Sequence, residues 1–143
     1  MSMYGFLEMK VGQAMTRAAR TVAPELPLYE LEKLFDEFDY NAFPVVSDGQ
    51  LVGFVTKFDF LKAFAFSPTQ IVPHYDEIMQ TKVADVMTRA VIHVEADAPL
   101  PRALQLMVDL KARSFPVLDA SGQLVGVIAR EDLIQALKAT ATH

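Results

Sequence analysis

The feature that most constrains this sequence is that it repeats. Val11-Gly-Gln-Ala-Met15-Thr16-Arg17-Ala18 returns as Val83-Ala-Asp-Val-Met87-Thr88-Arg89-Ala90, and Pro27-Leu28 returns as Pro99-Leu100. Phe43-Pro44-Val45 returns as Phe115-Pro116-Val117, Gly49-Gln-Leu-Val-Gly53 as Gly122-Gln-Leu-Val-Gly126, and Asp59 as Asp132. The offset is 72 from Phe43 to Phe115 and 73 from Gly49 to Gly122. One extra residue near Ser121 accounts for the change, at a turn, where insertions are best tolerated. A period of this kind means one supersecondary unit used twice. A unit of about 55 residues buries too little surface to be secure alone. The two copies are therefore expected to pack face to face as one globule with a pseudo-twofold axis.

Each copy reads the same way. After Met-Thr-Arg comes a short β-branched run, Thr21-Val22 in the first copy and Val91-Ile92-His93-Val94 in the second. A helix is expected from Pro27 and from Pro99, because the missing proline N–H has no intrahelical partner in a first turn. Asp97 is a candidate cap for the second of these helices. Leu28, Leu31, Leu34, Phe35 and Phe38 recur at helical spacing, as do Leu100, Ala103, Leu104, Met107 and Leu110. Two strands follow at 43–46 and 50–56, joined through Asp48-Gly49, a strong hairpin dipeptide. In the second copy Ala120-Ser121-Gly122 takes that place. A closing helix carries Phe58, Leu61 and Phe64, matched by Leu133, Ile134 and Leu137. The expected class is α/β in the mixed α+β sense: two β-α-β-β-α repeats, 11–64 and 83–137. A linker at 65–82 connects them, where Pro68 and Pro73 exclude one long helix.

Composition narrows the function classes. Hydrophobic residues make up 52% and charged residues 22% of the 143, enough for a packed core and too apolar for disorder. A net charge of -5 argues against nucleic acid as a partner and against an anionic membrane surface. Without cysteine there is no disulfide, thiol nucleophile or thiolate metal site. His74, His93 and His143 have no partner three or four residues away, so no metal site is expected. Gly49-Gln-Leu-Val-Gly53 lacks the Lys-Thr ending of a P-loop, and there is no nucleophile elbow. No catalytic constellation is visible. No apolar run approaches the ~20 residues of a membrane helix, and the first ten residues lack the apolar stretch of a leader, so a cytoplasmic location is expected.

The order and double recurrence of Met-Thr, Phe-Pro-Val, Gly-Gln-Leu-Val-Gly and the Asp that opens the last helix resemble a pair of cystathionine-β-synthase (CBS) domains, the Bateman module. The resemblance covers both repeats and so most of the chain. It implies a regulatory sensor, not an enzyme, that binds an adenosine compound such as AMP, ADP or ATP in clefts between the repeats, with no intrinsic cofactor. It also implies a homodimer formed through helices, for which Phe60, Phe64, Phe66, Leu133 and Leu137 are the candidates, and an unknown effector protein that receives the signal. The alternative is a ligand-free pair used only for protein association.

The candidate site is Gly53-Phe-Val-Thr56-Lys57-Phe-Asp59, where a strand ends and a helix begins. Free N–H groups at a helix start favour anions. A first-turn carboxylate can accept hydrogen bonds from ribose hydroxyls, and a threonine hydroxyl can bond phosphate or ribose. Thr-x-x-Asp is equally close to a capping box. In Gly126-Val-Ile-Ala129-Arg130-Glu-Asp132 the hydroxyl is gone and the Asp remains. By resemblance, site one combines Thr56 and Asp59 with Met87, Ile92 and Ala112, and has Lys57 and Arg113 near enough to meet phosphates. Site two combines Asp132 and Arg130 with Met15, Arg20 and Tyr40. Tyr40 either stacks on a base or is a half-buried rim aromatic. The expectation is one nucleotide per chain, beside Thr56 and Asp59.

Overall fold

The computed structural model describes residues 4–17, 19–65 and 75–141. The elements in chain order are α1 (Tyr4–Glu8), α2 (Val11–Ala14), β1 (Thr16–Arg17), α3 (Leu28–Phe38), β2 (Ala42–Ser47), β3 (Gln50–Thr56) and α4 (Lys57–Lys62). They continue as α5 (Tyr75–Met79), α6 (Val83–Val86), β4 (Val94–Glu95), α7 (Leu100–Leu110), β5 (Ser114–Leu118), β6 (Leu124–Ala129) and α8 (Arg130–Ala141). The mixed α+β class expected from the repeat is what forms, with helix, hairpin and helix in that order twice. No helix among the described residues is long and apolar enough to cross a membrane.

The chain divides into two compact units, one of Arg20–Val91 and one of Met1–Ala19 with Ile92–His143. In the second of these the sheet order is β1-β6-β5-β4, with β4 parallel to β5 and the other pairs antiparallel. In the Arg20–Val91 unit β2 pairs antiparallel with β3. Its outer positions are held by single bridges, Val22 parallel to Val45 and Thr88 antiparallel to Phe54. Each Met-Thr-Arg segment thus pairs with the hairpin of the other sequence repeat. The expected strand at Thr21-Val22 shrinks to the Val22 bridge, and the run from Val91 to Val94 to the two residues of β4.

Local chemistry explains the elements. In α3, Leu28, Leu31 and Phe35 are buried; in α7, Leu100, Ala103 and Met107 are, so one stripe of each helix faces a core. Each fully buried leucine is worth about 2 kcal/mol of transfer free energy. Both helices end on a residue in the left-handed region, Asp39 at φ 52° and Lys111 at φ 54°. The hairpin between β2 and β3 turns on Asp48 at φ 51° and Gly49 at φ 77°, the two positive angles of a type I′ turn. The second hairpin uses Asp119 instead. Its Oδ1 accepts from Gln123 N, Ser121 Oγ and Ser121 N at 2.9, 2.8 and 3.0 Å. The Gln123 N–H first, and then the Ser121 hydroxyl, hold that carboxyl below its ordinary value.

Several local expectations need correction. Asp97 does not cap α7, whose N-cap is Pro99, without a side-chain cap. Within the stretch expected as linker, residues 75–79 form α5, with Met79 buried. The closing helices are also rotated relative to the expected exposed patch. Leu133 is buried, and Phe60, Phe64 and Leu137 are half-buried, whereas Phe58, Leu61 and Ile134 are 68, 63 and 58% exposed. In α4 the inward side is the one that carries Asp59, with Phe60, Ala63 and Phe64 half-buried beside it. Ala18, Phe66, Pro68, Pro73, His74 and His143 lie outside the described residues.

Candidate functional site

The site is built where β3 runs into α4. Thr56 is the N-cap of α4 in extended conformation, and its Oγ1 accepts from Asp59 N at 3.0 Å. Thr56 N in turn donates to Asp59 Oδ2 at 3.0 Å, which completes a capping box. Asp59 is only 3% exposed, the one buried charged side chain among the described residues. A buried carboxylate is costly unless paired, and this one is paired on every side. Thr88 Oγ1 donates to it at 3.3 Å, and Lys62 Nζ lies 3.1 Å from Oδ1. The capping reading of Thr-x-x-Asp therefore holds, and the same carboxylate also ties down the Met-Thr-Arg segment near the start of the second repeat.

The corresponding junction between β6 and α8 keeps half of this arrangement. Ala129 has no hydroxyl to offer, yet Ala129 N donates to Asp132 Oδ2 at 2.8 Å, and Thr16 Oγ1 donates to Oδ1 at 3.2 Å. The position matching Lys62 is Gln135, so the countercharge is missing. Burial pushes the Asp132 carboxyl above its ordinary value, against the Ala129 N–H and the Thr16 hydroxyl, while Glu131 adds to the rise. A raised carboxyl means that the folded chain disfavours the charged form. The cost is present above the folded pKa and is relieved as pH falls through it toward the ordinary value of 3.8. The melting temperature of wild type minus that of Asp132→Asn should therefore rise between pH 7 and pH 4.5. A difference that stays constant or falls would contradict this.

Two further features shape the junctions. Arg130 Nε donates to Ala112 O at 2.9 Å and one of its terminal nitrogens to Lys111 O at 3.1 Å, while Arg130 N donates to Arg113 O at 3.1 Å. In the other unit Lys57 N donates to Asn41 O at 3.0 Å, and the Lys57 ammonium lies 5.8 Å from the Phe35 ring centroid. The segment before each Phe-Pro thus meets the start of the closing helix in its own unit.

The residues singled out from sequence fall out as follows. Thr56, Lys57, Asp59 and Met87 belong to the Arg20–Val91 unit, as do Arg20 and Tyr40; Ile92, Ala112, Arg113, Arg130 and Asp132 belong to the other. Tyr40 is half-buried, with ring centroids 5.6 Å from Phe38 and 5.3 Å from Phe43, which is the packing of a rim aromatic. Arg20 is exposed and its guanidinium lies 5.8 Å from the Phe38 ring centroid. Thr16, Thr88 and Lys62 were not among the candidates. The two threonines could have been found, because both sit in the repeated Met-Thr. Lys62 has no counterpart in the second copy and left no such trace.

Comparison with known proteins agrees with this architecture. The sequence profile of the CBS domain matches residues 11–66 and 83–139. An uncharacterised protein of Methanocaldococcus jannaschii, MJ1426, is 32% identical over 135 residues, covering 77% of this chain and 80% of that protein. The chloroplastic CBS domain-containing protein CBSX1 of Arabidopsis thaliana is 30% identical over 148 residues, covering 88% of this chain but only 63% of its own length. Among solved structures, CBSX2 of Arabidopsis thaliana in complex with AMP superposes with a TM-score of 0.79 at 26% identity, covering 93% of this chain and 98% of that one.

Proposed function

The chain belongs to the CBS domain family, and from that premise we propose that it is a regulatory sensor, not a catalyst, that binds an adenosine-containing ligand and passes the bound state to a partner protein. The observation that carries this reading is the repeated strand-to-helix junction. It presents an inward carboxylate at the start of a helix at Asp59 and again at Asp132, in a chain similar to a protein solved with AMP. One nucleotide per chain is proposed, beside Thr56 and Asp59, because that junction has a hydroxyl where the other has Ala129. Met87, Ile92 and Ala112 would surround the base, with Lys57 and Arg113 toward phosphate. Asp132, Arg130, Arg20 and Tyr40 would form the weaker site. The ligand acts by differential affinity for alternative arrangements of the chain. The active species is proposed to be a homodimer, and an effector protein receives the output.

The test is a thermal-shift panel of AMP, ADP, ATP, S-adenosylmethionine and NAD, with and without Mg²⁺, followed by titration calorimetry. A ligand at about 100 times its Kd adds about 2.7 kcal/mol of stability. That should raise the melting temperature by about 5–10 °C in a chain of this size, with a stoichiometry near one. The saturated hydrogen bonding of Asp59 favours a second reading, in which the junction is purely structural. A melting temperature indifferent to the whole panel would favour that reading.

A further inference from the structure

Three groups meet the Asp59 carboxylate, and two of them are fixed by backbone. Thr56 N sits at the β3–α4 junction. Thr88 donates through its N–H to Phe54 O at 2.8 Å, and its carbonyl accepts from Phe54 N at 2.9 Å. The third group, Lys62, hangs on a flexible stem. Its side chain is 54% exposed, and its ammonium also lies 5.5 Å from the centroid of the exposed Phe58 ring. A carboxylate has about four lone-pair sites. Oδ2 of Asp59 accepts from Thr56 N at 3.0 Å and from Thr88 Oγ1 at 3.3 Å, while Oδ1 faces Lys62 Nζ at 3.1 Å and the same hydroxyl at 3.4 Å. A ribose diol donating two hydrogen bonds finds no free edge while Lys62 stays. The second junction is an internal comparison, because Gln135 stands in place of Lys62. Asp132 Oδ2 accepts from Ala129 N at 2.8 Å, and Thr16 Oγ1 lies 3.2 Å from Oδ1 and 3.4 Å from Oδ2. Without the lysine, Oδ1 has that single partner among the described residues, and the carboxylate is half-buried where Asp59 is 3% exposed.

We infer that Lys62 is a latch on the ligand site: it occupies Asp59 in the free chain and must leave before ribose hydroxyls can donate to that carboxylate. The inference rests on the placement of the nucleotide beside Asp59 proposed above. An ion pair with one half-exposed partner is weak and is screened by salt, so two hydrogen bonds from a diol can replace it. The exchange also supplies what a sensor needs, two arrangements of one site for which the ligand has different affinity. Once released, the ammonium is able to meet an anion. A phosphorylated ligand then regains an attraction that uncharged adenosine does not, so the latch opposes adenosine more than AMP.

The experiment is titration calorimetry of adenosine and of AMP into the full chain, as wild type, Lys62→Gln and Lys62→Arg. Glutamine is what the second junction carries at this position. Lys62→Gln should bind adenosine about two- to fivefold more tightly than wild type, the range of a partly exposed ion pair, and gain less for AMP. Its melting temperature without ligand should fall, because Asp59 loses its cation. A lysine with a merely structural role would lower stability and affinity together on removal; the latch moves them in opposite directions. Lys62→Arg keeps the charge and should bind adenosine as wild type does. A second measurement needs no variant: raising NaCl from about 50 to about 500 mM should tighten adenosine in wild type, since salt screens the pair. Lys62→Gln binding adenosine no tighter than wild type, Lys62→Arg binding as tightly as Lys62→Gln, or a wild-type affinity indifferent to salt would each overturn the latch. If wild type still binds AMP in those cases, the sensor stands. Adenosine binding by Lys62→Gln alone would support the latch, whereas no binding of adenosine or AMP by any of the three chains removes the site at Asp59 and the latch with it.

Discussion

Replacing Gly126 by alanine is expected to cost about 3 kcal/mol of folding stability, near the upper end for overpacking a tight site. A Cβ at this position would lie 2.5 Å from the carbonyl oxygen of Thr16 and 2.9 Å from Met15 Sδ. Thr16 belongs to β1, which pairs with β6 at Arg17 and Gly126, so the obstructing atom is backbone held in a sheet. It cannot move aside without opening the pairing. The matching Gly53 makes the control. A Cβ there would meet Met87 Sδ at 2.5 Å and Thr88 O at 3.0 Å, so its closest obstacle is the far end of a flexible side chain. Gly53→Ala should cost about 1–2 kcal/mol, because a methionine can change rotamer. Chemical denaturation of the two variants checks the pair. Equal losses, or a Gly126→Ala variant within about 1 kcal/mol of wild type, would show that β1 is not held as described.

The second large effect concerns Asp59. Asp59→Ala leaves the backbone N–H that donates to Thr56 but removes the carboxylate that closes the capping box on Thr56 N, the acceptor for Thr88 and the partner of Lys62. Losing a cap costs about 1 kcal/mol, and losing hydrogen bonds to a charged group about 1.5–3 kcal/mol. These overlap, and Lys62 can turn to solvent, so the expected loss is about 2–3 kcal/mol. Asp132→Ala should cost about 1 kcal/mol, since it lacks both the capping hydroxyl and the cation. If the proposed function holds, Asp59→Ala also weakens AMP by about tenfold or more, the equivalent of 1.5–3 kcal/mol of charged hydrogen bonding. Asp59→Asn retains an acceptor for Thr56 N and isolates the effect of charge on binding. Equal destabilisation by the two alanines would contradict the difference in partners. An Asp59→Asn variant that binds AMP like wild type would remove Asp59 from the ligand.

Much of the fold could be read from residue order because its signals are local. The stripe of Leu28, Leu31 and Phe35 and the Asp48-Gly49 dipeptide each act within a few residues, and both behave as their chemistry requires. The capping box was legible for the same reason, since Thr56 and Asp59 are three residues apart. What could not be read were partners distant in sequence. Asp59 meets Thr88 across 29 residues, and Asp132 meets Thr16 across 116. The outward faces of α4 and α8 were likewise misjudged, because a helix pattern of mixed Phe, Leu and Ala fits several rotations until an inward carboxylate selects one.

Residue order alone establishes that one unit is used twice, what class that unit belongs to, and which residues stand at matching positions. A repeat has a period but no origin, however. Any starting point along the 72-residue period describes the sequence equally well. The folded chain sets that origin: one compact unit is Arg20–Val91, and the other joins Met1–Ala19 to Ile92–His143. The physical reason lies at the sheet edges. A lone hairpin leaves backbone N–H and C=O groups unpaired on both sides. The segment that pairs with them is the one whose threonine can also reach the aspartate of the strand-to-helix junction: Thr88 for Asp59 and Thr16 for Asp132.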